Sequence, residues 1–304
     1  MRLETIEEFR ALFPEAFRKD GSIILDGTKA NSDLIESLPP GLVVNGDLDM
    51  RGCQGLKSIQ DLRVKGNVTF KGCGSLNHIG PNILVGGSAD FSHCNGLTSF
   101  VADKMVVGEN LSLDCCTKLN EVVFDVPGII PGHLSLSGCR SLKSISRVHV
   151  GASLEASDCF SLQHLDNGIK AFSINLIRCH SLQHLPADIS VKRGINISET
   201  SIMSLPEGLK IDGWLVARKC NELTSLPEDL YVTKWLSLQD CKNLEKIPDT
   251  IDVGDYIDLL GCNNVQISEN FLNKNPNKVI LPNHFIPTSD ETDPEIEAES
   301  PEPF

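Results

Sequence analysis

No stretch of the 304-residue chain is apolar over anything near the ~18 residues that a bilayer-crossing helix needs. Met1–Arg10 is charged and lacks the apolar core of a classical signal peptide, so a cytoplasmic protein, or one delivered into a host cytosol by another route, is expected. Aromatic residues are scarce at 5%, with two Trp and two Tyr, which suits thin stacked layers rather than a thick globular core. Excess positive charge is lacking too. The net charge is −14, and residues 286–304 hold −7 of it with no Lys or Arg. Long-range attraction to nucleic acid or anionic lipid is therefore excluded as a default. The eleven cysteines show no Cys-x-x-Cys spacing, which argues against a zinc site.

What the chain does contain is a repeat. Ten cysteines fall in register: Cys53, Cys73, Cys94, Cys116, Cys139, Cys159, Cys179, Cys220, Cys241 and Cys262. They recur every 20 to 23 residues, except for a gap of 41 that holds Thr200 in the same register. Eleven rungs result, and Cys115 is the one cysteine out of step. Apolar residues stand five and three before each Cys, as in Leu48 and Met50, and again three after it, as in Leu56. Nine before it usually stands Val or Ile, as in Val44 and Val64. Seven before it is often Gly, and the later repeats carry Leu-Pro or Ile-Pro some six residues after it, as in Leu185-Pro186.

Each column has a physical role. An apolar pair two apart is a short strand with one buried face, and stacking the rungs makes a parallel sheet. The Cys turns inward as a small apolar group, and Thr200 fits the same volume. Proline suits an extended return segment that makes no ladder. A buried column of reduced thiols follows, since residues stacked at one position show no evident pairing for disulfides.

The pattern L-x-L-x-x-C followed by an apolar residue resembles the leucine-rich repeat, whose consensus admits Asn or Cys at that position. The short repeats and Leu-Pro returns are similar to secreted effectors of Gram-negative pathogens. Leu134-Ser-Leu-Ser-Gly-Cys139 is also similar to repeats of plant intracellular immune receptors, although the P-loop of those receptors is lacking. The resemblance implies a β-rich leucine-rich-repeat solenoid whose concave parallel sheet binds a protein. Some such effectors add a ubiquitin-ligase domain of a few hundred residues, and fewer than forty follow the last repeat here.

The expected organisation is a helical cap and lead-in over 1–37, the solenoid over 38–270, a C-terminal cap over 271–287 and a disordered acidic tail over 288–304. Thr5-x-x-Glu8 predicts a helix start for residues 5–18, with Ile6, Phe9, Phe13 and Phe17 on one face and Pro14 as a break. Ser268–Asn273 predicts a short helical turn, and Val279–Leu281 a last strand.

Candidate chemistry is sparse. His78, His164 and His184 recur five residues after a Cys, and two adjacent imidazoles make a poor metal site. Asp49, Asp90, Asp114 and Glu155 are scattered over an open sheet, with no nucleophile and base together. No enzyme activity, cofactor or metal is expected. Outward positions in the middle rungs are mostly serine, whereas the last three rungs place Trp214, Trp235 and Tyr256 six before the Cys, with Arg218, Gln239 and Leu260 four further on. Aromatic residues and Arg are common interface anchors, so Trp214, Trp235, Tyr256, Arg218 and Gln239 are the expected partner-binding residues. The alternative for the ladder is a C-terminal cap that folds Phe271 or Phe285 over it. The leading expectation is a monomeric, non-catalytic scaffold that engages a host protein. The alternatives are a bacterial cytoplasmic adaptor and a carbohydrate-binding or carbohydrate-active β-helix.

Overall fold

A computed structural model describes residues 1–29, 31–102, 105–124 and 128–282. The expectations for the tail over 288–304, for Phe285 and for residues 283–287 of the C-terminal cap lie outside these residues. The described chain is a parallel β-solenoid. Its largest sheet follows one path of thirteen strands, from Ile23–Ile24 to Val279–Ile280, with successive strands about one repeat apart in sequence. The cysteine rungs supply eleven of these strands. The strand pairs Ile23↔Leu48 and Ile257↔Val279 add one rung at each end, where no cysteine marks the repeat.

Each cysteine rung has three sides. The main sheet forms the first. After the cysteine the chain turns onto a second side, where Ser99–Val101, Glu121–Val123, Ser144–Ile145 and His164–Leu165 form a parallel sheet of their own. It then turns onto a third, with the sheets Val43–Val44 to Val106–Val107 and Lys210–Ile211 to Asp252–Val253. Three longer strands between those two sheets, beginning with Val148–Glu155, run through the third side into the first with a register shift at the corner. The return segments thus pair where the sequence led us to expect no ladder. Proline sets the limit: the second-side sheet stops after His164–Leu165, and the next three rungs carry Pro186, Pro206 and Pro227. A residue without an N–H cannot extend the ladder.

The interior is one continuous apolar cluster from Leu3 to Phe271. All ten in-register cysteines are fully buried, and all eleven thiols are free. Each buried thiol donates to a backbone carbonyl of the preceding rung, and from Cys73 onward this is the carbonyl three residues before that rung's Cys or Thr200. Cys73 reaches Met50 O at 3.1 Å, Cys159 reaches Leu136 O at 3.1 Å and Cys241 reaches Ala217 O at 2.9 Å. That carbonyl already accepts the N–H of its own cysteine, as in Cys73 N to Phe70 O at 3.0 Å, so one acceptor ties two rungs together. Thr200 departs from this: its hydroxyl turns back to Ile197 O in its own rung at 2.7 Å. Burial pushes the thiols of Cys53, Cys73 and Cys116 up to about 12. Neutral, inert side chains result.

The residue before each core position takes the left-handed conformation in every cysteine rung: Gly52, Gly72, His93, Cys115, Gly138, Asp158, Arg178, Glu199, Lys219, Asp240 and Gly261 all have φ between 55° and 81°. Cys115 is therefore out of step because it fills this turn position. The N-terminal helix is shorter than the expected 5–18. It spans Ile6–Leu12, with Thr5 Oγ1 accepting from Glu8 N, and gives way to a 3₁₀ turn at Pro14–Ala16. Phe9 and Phe13 enter the core cluster. A second helix, Glu269–Lys274, buries Phe271 fully. No helix among the described residues is long and apolar enough to cross a membrane.

Candidate functional site

The outward face of the main sheet is a set of columns running along the solenoid. The column six before the cysteine begins as a polar ladder, in which each side chain takes the backbone N–H of the next rung. Asp47 Oδ1 accepts from Asn67 N at 2.7 Å, Asn67 Oδ1 from Ser88 N at 2.9 Å and Asn110 Oδ1 from His133 N at 2.7 Å. This explains the glycine one residue earlier: a Cβ on Gly66 would stand 2.1 Å from Asp47 Oδ1. The ladder ends at Ser153 and Ser173, whose hydroxyls lie 2.9 Å apart.

The next member of the column is Gly194, and the aromatic residues begin there. Trp214 leans back over Gly194, so that a Cβ on that glycine would fall 2.3 Å from Trp214 Cδ2. Trp235 stacks on Trp214 with centroids 6.1 Å apart and planes 13° from parallel. Tyr256 stacks on Trp235 at 6.3 Å and 6°. The three predicted residues thus form one stack, and Trp235 has a ring against each of its faces. Both faces of Trp235 are covered, and an outward approach meets its edge. Trp214 and Trp235 are half-buried and Tyr256 is exposed. Phe271 lies in the interior, not on the stack.

Arg218 and Gln239 lie beside the stack, and each reaches into the next rung. Arg218 Nε donates to Ser237 Oγ at 3.0 Å, and Gln239 Nε2 donates to Asp258 Oδ2 at 2.5 Å. Ser237 and Asp258 occupy the column between, are buried, and escaped the sequence reading because they sit at an outward position. Asp258 Oδ1 also accepts from Leu260 N at 3.1 Å. The site therefore combines an aromatic ledge with a polar seam whose hydrogen bonds hold Arg218 and Gln239 in place.

The other candidate groups are engaged locally. Asp49 pairs with Arg51 at 2.6 Å, Asp90 accepts from Ser92 N, and Asp114 accepts from Ser135 Oγ and Ser137 N. His164 and His184 line one groove with His180, and His180 stacks on Phe160 at 5.4 Å. Among the described residues, no group of three or more His, Cys, Asp or Glu could hold a metal ion.

No family model, curated protein or solved structure matches this chain. Function must be read from the surface itself. That surface supplies stacked ring edges, a guanidinium and an amide, which suit recognition of an irregular surface of mixed polarity.

Proposed function

We propose that the chain is a non-catalytic protein-binding scaffold of leucine-rich-repeat type, engaging its partner through Trp214, Trp235, Tyr256, Arg218 and Gln239. By resemblance of its repeats the partner is a host protein and the chain an effector, and the N-terminal helix serves as the cap of the array. The observation that carries the reading is the aromatic stack. Both tryptophans of a chain with few aromatics stand together on an open sheet, next to an arginine held by its neighbours. Ring edges and a fixed guanidinium favour a protein over a sugar, which binds by lying flat on an exposed ring face.

The test is capture from host and from bacterial lysate on the immobilised chain, with Trp235→Ala as control. A host protein retained by the wild type and lost on Trp235→Ala supports the proposal. Equal retention by both proteins opposes it, and a glycan array that returns a ligand sensitive to the same substitution replaces it with the carbohydrate reading.

A further inference from the structure

A second surface, on the third side of the solenoid, is independent of the aromatic stack. Ile129 is 71% exposed, the highest value for a large apolar residue among the described residues, and Phe172 is 44% exposed. They line a groove of about 360 Å³ with Pro131, His149, Lys170 and Lys192. Among the described residues, no carboxylate lines it and neither lysine takes part in an ion pair. An apolar lining that also carries two ammonium groups, with no ion pair to either among the described residues, is complementary to a segment that mixes carboxylates with apolar side chains.

The chain carries such a segment. Residues 290–304 hold seven carboxylate side chains, no Lys or Arg, and the apolar residues Ile296 and Phe304. The described chain ends at Pro282, on the last rung of the main sheet. The rung of Lys192 lies four rungs back and that of Ile129 seven, or ~19 and ~34 Å at the strand spacing of a sheet. Residues 283–304, fully extended, span ~70 Å, enough to cross to the third side and run along the groove.

We propose that this groove binds the chain's own acidic C-terminal segment, with the carboxylates of 290–302 against Lys170 and Lys192 and an apolar side chain against Ile129 and Phe172. The contact is intramolecular, so the effective concentration of the segment is in the millimolar range and weak electrostatic affinity suffices. It also covers Ile129, the most exposed large apolar side chain among the described residues. It does not rest on the proposed partner site, which lies on another side.

The test uses the full chain with benzoylphenylalanine replacing Phe304 or Ile296, photoactivated and mapped by mass spectrometry. Crosslinks within one molecule to Ile129, Phe172 or their immediate neighbours are expected, and their yield should fall several-fold in 1 M NaCl or in Lys170→Glu/Lys192→Glu. Both lysines are exposed, so the double variant should melt with the wild type, which a thermal scan checks. Crosslinks confined to another surface, crosslinks between molecules, or a yield indifferent to salt and to the double substitution would each overturn the proposal.

Discussion

Replacing Cys159 by aspartate puts a carboxyl where the structure holds a fully buried thiol, 3.1 Å from Leu136 O and between Cys139 and Cys179. No cation lies in that column. Aspartate can keep the thiol's hydrogen bond only when protonated, because the carboxylate would face a carbonyl acceptor. A buried carboxyl of this kind titrates at ~8–9, against ~3.9 in the unfolded chain. Between those values the folded state binds more protons than the unfolded state, so stability falls as pH rises, by ~1.4 kcal/mol per unit. The cost from protonation is then ~2 kcal/mol at pH 5.5 and ~5 kcal/mol at pH 7.5. Cys159→Asn has nearly the same shape and no charge, so it should lack the slope. Solenoid stability is propagated through neighbouring rungs, and the readout should therefore be local. Hydrogen exchange at the amides of Leu136 and Ala156, which bond to Glu155 O and Asn175 O, gives the opening free energy of the adjoining rungs. Subtracting wild type, Cys159→Asp should lose ~3 kcal/mol between pH 5.5 and 7.5, and Cys159→Asn nothing. Equal, pH-independent values for the two variants would refute the dry inward column.

Alkylation without reductant should label all eleven cysteines in denaturant but Cys115 alone in the native protein, as mass spectrometry can count. Gly72→Ala should cost ~1 kcal/mol in denaturant titration, because nothing lies within 4 Å of the new Cβ and only the left-handed backbone resists it. Lys219→Gly, at the same place in its rung, should raise the melting temperature. Gly194→Ser should displace Trp214 and shift the tryptophan emission, while unchanged emission would mean that the stack does not begin at Gly194.

The inward half of the fold was legible in the sequence because burial imposes a residue type. Cysteine, leucine and valine recur wherever a side chain meets the core, and their spacing alone places the rungs. The left-handed turn was not legible. Stacking imposes its geometry on the backbone, and the side chain there points to solvent, so Gly52, His93, Arg178 and Lys219 all serve. The ladders on the second and third sides escaped notice because most are two residues long and carry one inward residue each. At the site, the shared offset of Trp214, Trp235 and Tyr256 could be read directly. Gly194 could not, because its lack of a side chain matters only through a ring twenty residues later in the chain. Asp258 was hidden for a related reason: Gln239 and Leu260 cover an outward position that periodicity assigns to solvent.

The proposed role of the stacked edges of Trp214, Trp235 and Tyr256 is that of a binding surface rather than a structural brace. Its most direct test is Trp235→Ala, with partner affinity and melting temperature measured on the same protein. As the middle ring of the stack, Trp235 should contribute ~2 kcal/mol or more to binding, a loss of about thirtyfold in Kd, while the melting temperature moves little. An affinity unchanged by the substitution, or a loss that follows a several-degree drop in melting temperature, would contradict it.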